Sequence, residues 1–147
     1  MDATDLMLLK LLEADSRQQY ADLGKAVHLS APAVHARVKK LEQAGVIKGY
    51  SVKIDPAAIG KPICAFIRLS TSRVSCSDTG NLLAKLPEVE ECHSTAGEDC
   101  VLVKVRTKST EALQNLIQTI VQLPGVTRTM TTVVLSSHFE RGTMPPN

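Results

Sequence analysis

The sequence contains no tryptophan, and aromatic residues make up only 3% of its 147 residues. A core built from this composition has to be aliphatic. No apolar run approaches the length of about 18 residues that a membrane-spanning helix needs, and the N-terminus carries Asp2 and Asp5 where a secretory signal peptide would carry basic residues. We therefore predict a cytoplasmic protein with no membrane partner.

Metal-binding and catalytic patterns are also missing. The four cysteines and four histidines form no C-x-x-C pair and show no recognisable spacing of metal ligands, so we expect reduced thiols and no metal or other cofactor. The adjacent Cys92 and His93 suggest a nucleophile and its base. Neighbours on a strand point to opposite faces, however, and a nucleophile must lie within hydrogen-bond reach of its base. We therefore do not expect an enzyme.

An excess of charge of one sign is absent as well, since the formal net charge is only +2. Divided at Gly60, the chain has eight basic and seven acidic residues before this point and nine basic and eight acidic residues after it. Any contact with nucleic acid must therefore come from a local cluster. One such cluster lies between residues 35 and 53, where Glu42 is the single acidic residue. Its basic members are Arg37, Lys39, Lys40, Lys48 and Lys53.

The segment from Ser30 to Gly45 has the features of a helix with one basic face. Ser30 can cap its N-terminus, Pro32 suits its first turn, and Gly45 can close its far end in the left-handed conformation. At about 100° per residue, a narrow apolar stripe faces inward. The stripe consists of Val34, Val38 and Leu41. The residues that point away are Pro32, Ala33, Ala36, Lys39 and Lys40, with His35 and Arg37 on the flanks.

A second short apolar helix, from Tyr20 to Val27, precedes this segment, and only two residues separate it from Ser30. Two helices joined that tightly must cross steeply, which is the geometry of a helix-turn-helix. A leucine-rich helix before them, predicted to be buried over most of its circumference, completes a three-helix core. We predict that the Ser30–Gly45 helix binds DNA, since its small outward residues allow close approach to the bases. The predicted DNA contacts are Ser30, Pro32, Ala33, His35, Ala36, Arg37, Lys39 and Lys40.

Simpler interpretations of this helix stay open. A short amphipathic helix with basic residues on its outside is often only a solvated face. His35 in particular can be a solvated flank residue. The N-terminal helices can also serve a protein-interaction module that has no operator specificity.

A short β segment is predicted after the helices. Two extended runs between Val46 and Ile54 flank Lys48 and Gly49, and Gly49 can supply a positive φ at a two-residue turn. We therefore expect a small β wing, followed by a turn or single helical turn over residues 55–60. The predicted domains are residues 1–60, residues 61–138 and a polar tail of residues 139–147.

The second half of the chain contains a weak repeat. Leu86-Pro87-Glu88-Val89 recurs as Leu123-Pro124-Gly125-Val126, each time between a helical and an extended stretch. The pattern predicts strands over 63–70, 89–95, 100–106 and 126–135, and helices over 78–86 and 110–123. The order βαββαβ is that of a ferredoxin-like sandwich.

The predicted fold class is therefore α+β, with an N-terminal winged helix-turn-helix domain and a C-terminal ferredoxin-like βαββαβ sandwich. The sheet of such a sandwich has helices on one face only. We expect its other face to be rich in aliphatic and threonine side chains and to be covered by a second copy of the chain. A dimer in turn predicts a pseudo-palindromic operator in double-stranded DNA.

A helix-turn-helix, a short β linker and a βαββαβ domain in this order resemble the Lrp/AsnC, or feast/famine, family of bacterial and archaeal transcription regulators. The resemblance covers nearly the whole chain and rests on the order and spacing of short segments. Among them are Ala21-Asp22-Leu23, Arg37-Val38-Lys39-Lys40-Leu41-Glu42, Gly49-Tyr50, Asp55-Pro56, Gly97-x-Asp99 and Leu123-Pro124-Gly125-Val126. The resemblance implies a DNA-binding N-terminal half and a C-terminal half that dimerises, often assembles into octamers, and binds an amino acid between subunits.

Together with the residue types, the resemblance predicts an amino-acid effector site at the turn of residues 97–99. Gly97 permits close approach of a ligand, Glu98 or Asp99 can face an α-ammonium group, and threonine hydroxyls can hold an α-carboxylate. The predicted site residues are Thr95, Ala96, Gly97, Glu98, Asp99, Thr129 and Thr131. Without the resemblance, Gly-Glu-Asp is equally a plain turn, and the two threonines are ordinary strand formers.

The chain departs from the family pattern at two places. Cys100 stands where many members have an aromatic residue, and His35 and Ala36 stand where others have bulkier or charged residues. The resemblance therefore does not imply a target sequence. An amino-acid-binding or protein-interaction module without operator specificity remains the alternative function.

Overall fold

The computed structural model describes residues 1–72 and 76–146 and contains two compact units. The first, called here the N-terminal unit, comprises Met1–Lys53 together with the described part of the tail that begins at Phe139. The second, the sheet unit, comprises Ile54–His138. The boundary between the two units follows Lys53, a few residues before the position predicted near Gly60. The described part of the tail belongs to the N-terminal unit. Within the described residues, no helix has the length and apolar character needed to cross a membrane.

Three helices build the N-terminal unit: α1 over Ala3–Ala14, α2 over Tyr20–Val27 and α3 over Ala31–Gln43. Five buried apolar side chains join them, namely Leu8, Leu12, Leu23, Val34 and Val38. The expectation that α1 is buried over most of its circumference is wrong. Only Leu8 and Leu12 are buried on this helix, because α2 and α3 cover a single stripe of it.

The α2–α3 turn depends on two residues that the sequence analysis did not single out. His28 ends α2 in the left-handed conformation at φ 56°, and the backbone N–H of Leu29 then donates to the carbonyl of Gly24 at 2.9 Å. A Cβ atom at Gly24 would lie only 2.3 Å from the carbonyl oxygen of Leu29. The turn can pass this close to α2 only because residue 24 lacks a side chain.

The predicted β wing does not form. The described residues between α3 and the turn at 56–60 contain no strand, although Gly49 has the positive φ expected of it, 153°. The backbone N–H groups of Val46 and Ile47 donate instead to the carbonyl of Leu41, at 3.0 and 3.2 Å. These residues therefore close the end of α3, and a two-stranded ribbon in which almost every residue is exposed is at best marginal in water.

The sheet unit contains β1 (Ile63–Thr71), α4 (Cys76–Leu83), β2 (Val89–Ser94), β3 (Val101–Thr107), α5 (Thr110–Val121) and β4 (Val126–Val133). Its four strands are arranged β2-β3-β1-β4, and neighbouring strands are antiparallel. This confirms the predicted ferredoxin-like βαββαβ sandwich. A single turn at residues 56–60 precedes it, held by a bond from the Lys61 N–H to the Pro56 carbonyl at 2.8 Å.

Strand register decides which side chains face the helices. Ala65, Ile67 and Leu69 on β1 lie opposite Val105, Val103 and Val101 on β3. With Leu83 of α4 and three residues of α5, these side chains form the core of the unit. The α5 residues are Leu113, Leu116 and Ile120.

The opposite face of the sheet, called here the open face, has a different composition from the one predicted. Its members include Phe66 and Arg68 from β1, Leu102 and Lys104 from β3, and Arg128, Met130 and Thr132 from β4. The prediction of a face rich in aliphatic and threonine side chains is wrong, because the register places most of the aliphatic residues against the helices. Phe66 and Met130 remain 36% and 44% exposed in the single chain.

Candidate DNA-binding and effector sites

Helix α3 begins and ends where the sequence predicts. The Ser30 hydroxyl accepts a bond from the backbone N–H of Ala33 at 3.3 Å, Pro32 lies in the first turn, and Gly45 takes a φ of 70° beyond the end. Val34, Val38 and Leu41 are buried on the inner side. Because these three residues fix how α3 packs, the opposite side of the helix faces away from the core.

That outer side carries the small and basic residues expected of it. Pro32, Ala36, Lys39 and Lys40 are exposed, and neither lysine belongs to an ion pair within residues 1–72 and 76–146. Gln43 is also exposed and, at about 100° per residue, lies on the same side. Gln43 was not among the contacts predicted from the sequence, although its amide is a group that can pair with adenine.

Arg37 lies on the flank of α3 that faces the beginning of α1. Its Nη1 atom donates to Asp2 Oδ2 and to Asp5 Oδ1, both at 2.8 Å. The two carboxylates also form a capping box, in which each accepts the backbone N–H of the other residue. The backbone N–H of Asp5 and the Arg37 guanidinium hold the pKa of Asp2 below its ordinary value, and the N–H of Asp2 with Arg37 does the same for Asp5. The Arg37 cation is therefore engaged within the unit.

His35 lies on the other flank, where its ring packs against Tyr20 of α2 with centroids 5.1 Å apart. It is exposed, but this aromatic contact distinguishes it from a freely solvated side chain. On the same side of α3, the Tyr50 hydroxyl donates to Glu42 at 2.8 Å. Burial and this carboxylate raise the pKa of Tyr50 to about 12, so the bond persists at neutral pH.

The candidate effector turn, residues 95–99, connects β2 to β3 and is closed by its own hydrogen bonds. The Thr95 hydroxyl donates to the carbonyl of Asp99 at 2.7 Å, and the Thr95 N–H donates to the carbonyl of Cys100 at 2.9 Å. Gly97 has a φ of 137°. Residues 95–98 are exposed, so the turn presents backbone groups to solvent.

Asp99 is the largely buried anchor of this turn, with 10% of its side chain exposed. Its Oδ1 accepts from Arg128 at 2.9 Å and from the Ser70 hydroxyl at 2.7 Å, while Arg68 Nε lies 3.9 Å from Oδ2. Arg128 and then Ser70 hold the pKa of Asp99 below its ordinary value. Any ligand that binds at this turn therefore meets an Asp99 carboxylate that is already paired with Arg128.

The structure does not place all predicted effector residues on one side of the sheet. Thr129 and Thr131 lie opposite Leu69 and Ile67 on the helix-covered face, whereas Arg128 lies opposite Ser70 on the open face. Asp99 pairs with the open-face group. Ser70, Arg68 and Arg128 were not among the residues predicted from the sequence. The alternation of β4 placed Arg128 on the face opposite Thr129, but only the strand register shows which face meets the turn.

Comparison with known proteins matches both halves of the chain. A model of the AsnC-type helix-turn-helix domain matches residues 1–42, and one of the Lrp/AsnC ligand binding domain matches residues 64–144. The HTH-type transcriptional regulator FL11 of Pyrococcus horikoshii is 35% identical over 145 residues, covering 99% of this chain and 96% of that protein. The HTH-type transcriptional regulator LrpA of Mycobacterium tuberculosis is 36% identical over 140 residues, covering 95% and 93%.

A solved structure shows a similar arrangement of the whole chain. It is a transcriptional regulator from Neisseria meningitidis, crystallised as its L-Met complex. Its sequence is 26% identical, the match covers 99% of this chain and 96% of that one, and the TM-score is 0.91.

Proposed function

Since the chain belongs to the Lrp/AsnC family of transcription regulators, a family without enzymatic activity, we propose that the outer side of α3 recognises operator DNA and that an amino acid binds at the turn of residues 95–99. The observation that carries the DNA proposal is a pair of exposed lysines, Lys39 and Lys40, on a capped helix; neither forms an ion pair with any residue that the structure describes. Because an operator lies on chromosomal DNA, we place the protein in the cytoplasm.

The outer residues of α3 divide into two roles. Lys39 and Lys40 bind phosphates, which sets affinity without selecting sequence. The small residues Ala33 and Ala36, with Pro32 and the capping Ser30, let the first turns of α3 approach the groove. His35 and Gln43 supply polar groups beside it. Arg37 positions α3 against α1, since two carboxylates already hold its guanidinium.

The phosphate role is tested by Lys39→Ala and Lys40→Ala in operator-binding measurements at several salt concentrations. Each variant should weaken binding to all sequences about equally and lower the salt slope by about one unit. Lys85→Ala removes another exposed lysine, from the sheet unit, and serves as the matched control. A changed sequence preference with an unchanged salt slope would contradict the assignment.

We also propose that the protein is at least a homodimer and that dimers assemble further, as in an octamer. Support comes from the open face of the sheet, where Phe66 and Met130 are left partly exposed in the single chain. The two-fold symmetry of a dimer implies pseudo-palindromic operators with half-sites about 10 base pairs apart, or a multiple of this. Sedimentation at micromolar concentration should show species larger than 15.9 kDa. A single species of that mass would remove the proposal.

The proposed effector is a free amino acid bound at a subunit interface, as the L-Met complex of the Neisseria regulator suggests. The exposed backbone of Ala96, Gly97 and Glu98 offers N–H groups to its α-carboxylate, and Glu98 or Asp99 faces its α-ammonium group. Thr129 and Thr131 lie on β4, an edge strand, so a ligand reaches their hydroxyls only around that edge.

Calorimetric titration with each of the twenty amino acids tests this site. At least one should bind, change operator affinity or assembly, and bind less well to Asp99→Asn, which keeps the shape of the side chain but removes its charge. Glu111→Gln on α5 is the matched control, because it neutralises an exposed acid on the helix-covered side. The absence of heat from all twenty, with operator affinity unchanged, would leave an effector-independent regulator.

A further inference from the structure

The first two turns of α3 contain few groups that can read a base. In a helix-turn-helix, the N-terminal residues of the second helix contact base edges. Between Ser30 and Arg37, a stretch that the structure describes in full, His35 is the only other polar residue. The Ser30 hydroxyl caps the helix, and the Arg37 guanidinium binds two carboxylates of α1. The exposed imidazole of His35 is therefore the group in these turns that is left to contact a base.

A second aromatic ring restrains this imidazole. Tyr20, the first residue of α2, places its ring against that of His35, with centroids 5.1 Å apart and planes inclined by 32°. Aromatic rings attract each other in offset or tilted arrangements at this separation. The two rings belong to different helices, and the tight turn at Gly24 and Leu29 joins those helices closely. The contact therefore limits the rotamers of His35 before any DNA is bound.

We propose that His35 reads a guanine in the major groove of each operator half-site and that Tyr20 is the positioning residue for this contact. The inference rests on the proposed role of α3 in operator recognition. Guanine presents two acceptors in the major groove, N7 and O6, whereas adenine presents one acceptor and one donor. An imidazole N–H donates to either guanine acceptor. Because the ring is already held in place, less side-chain entropy is lost on binding.

The surroundings of His35 fit this role. The small Ala36 lets the helix approach the groove, and Lys39, one turn beyond His35, is exposed and can reach a phosphate. Glu42 lies on the same flank two turns beyond His35, and its carboxylate accepts the Tyr50 hydroxyl at 2.8 Å. Within residues 1–72 and 76–146, His35 itself has no hydrogen-bond or ion-pair partner. Its ring nitrogens are therefore available to DNA.

The experiment selects bound duplexes from a library with a randomised centre of about 30 base pairs, enough for two half-sites. The full-length protein should select guanine at one position of each half-site. With His35→Ala, the preference for guanine over adenine at this position should fall about tenfold while the rest of the motif stays. His138→Ala removes an exposed histidine of the sheet unit and should select the parent motif.

Two variants of Tyr20 test the positioning role. Tyr20→Ala removes the ring and should lose part of the guanine preference. Tyr20→Phe keeps the ring without its hydroxyl and should retain the full preference. In the unsubstituted chain, the imidazole protons of His35 should show the NMR ring-current shift of a stacked ring, a measurement that does not depend on how well a variant folds.

The possible failures are distinguishable. A full-length protein that selects no motif would contradict operator recognition itself, and this inference with it. A motif without the guanine, or one whose guanine preference survives His35→Ala, would contradict only the role of His35. An equal loss in Tyr20→Phe and Tyr20→Ala, full preference in Tyr20→Ala, or a His35 signal without the ring-current shift would overturn the positioning role of Tyr20.

Discussion

Arg37 illustrates how partners distant in sequence decide the role of a residue. On α3 alone it is one more basic side chain near the predicted DNA face, but Asp2 and Asp5 of α1 both bind its guanidinium. We predict that Arg37→Gln raises the pKa of Asp5 without restoring its ordinary value, because the N–H of Asp2 still donates to it. Carboxyl titration by NMR measures this directly. Arg17→Gln, at an exposed arginine outside these ion pairs, should leave Asp5 unchanged.

The same carboxylates set the acid sensitivity of the N-terminal unit. A carboxyl group whose pKa is lower in the folded protein stabilises it above the ordinary pKa, and this stabilisation is lost as the pH falls through the folded value. Unfolding of the N-terminal unit should therefore become easier below about pH 4, and less steeply so in Arg37→Gln than in the parent. Identical acid profiles for the two proteins would show that Arg37 contributes nothing to this contact.

Gly24 gives a second residue-scale prediction, with Gly80 as its matched control. Alanine normally stabilises a helix interior by about 0.5–1 kcal/mol relative to glycine. At Gly24 the added Cβ would lie 2.3 Å from the Leu29 carbonyl oxygen, whereas at Gly80 it meets only Cys92 Sγ at 3.7 Å. Gly24→Ala should therefore lower the free energy of unfolding by about 1–3 kcal/mol, and Gly80→Ala should raise it slightly. Thermal unfolding of both variants provides the measurement, and stabilisation by Gly24→Ala would contradict the close crossing.

Residue roles were predictable where the cause is local. Ser30, Pro32 and Gly45 act within one turn of chain, so composition and spacing suffice to place them. The pairing of Asp99 with Arg128 joins residues 29 positions apart, and no local pattern specifies it.

At the scale of elements, strands with periodic apolar residues were placed correctly, while the wing was not. The strands of the sheet unit gain both ladder bonds and a buried face. Of residues 46–54, only Ile47 packs against a core, and the end of α3 takes their first N–H groups. The alternation of residues along β4 shows that Thr129 and Thr131 share one face of the sheet, but it does not show whether the helices cover that face. For this reason both threonines were assigned to the same site as Asp99.

The two faces of β4 give a prediction about the effector site. Arg128 pairs with Asp99, and its neighbour Thr129 lies on the helix-covered face. If the ligand binds on the open-face side of the turn, Arg128→Gln should weaken amino-acid binding several-fold, since it releases Asp99, and Thr129→Val should leave binding unchanged. Calorimetry of both variants decides between the two faces. The opposite ranking would place the ligand on the helix-covered side of β4.

At the scale of the whole molecule, the described part of the polar tail groups with the N-terminal unit. Its residues Thr143–Pro146 line a cavity of about 630 Å³ in the N-terminal unit, together with Leu6 and Leu9 of α1 and residues 46–51. A short segment of mixed composition carries no periodic pattern, so only the fold could show where it packs. The half-exposed leucines of α1 therefore lie beside the tail.

The last prediction concerns the independence of the sheet unit. Among its described residues, ten buried apolar side chains form the core, and its four strands form one continuous sheet, so the fragment of residues 54–138 should fold without the N-terminal unit. We expect a cooperative thermal transition and, because the open face with Phe66 and Met130 is retained, self-association in sedimentation. The fragment should not bind operator DNA, since it lacks α3. A fragment that melts without cooperativity would show that its core needs the N-terminal unit. A fragment that folds but stays monomeric would place the dimer contact elsewhere in the chain.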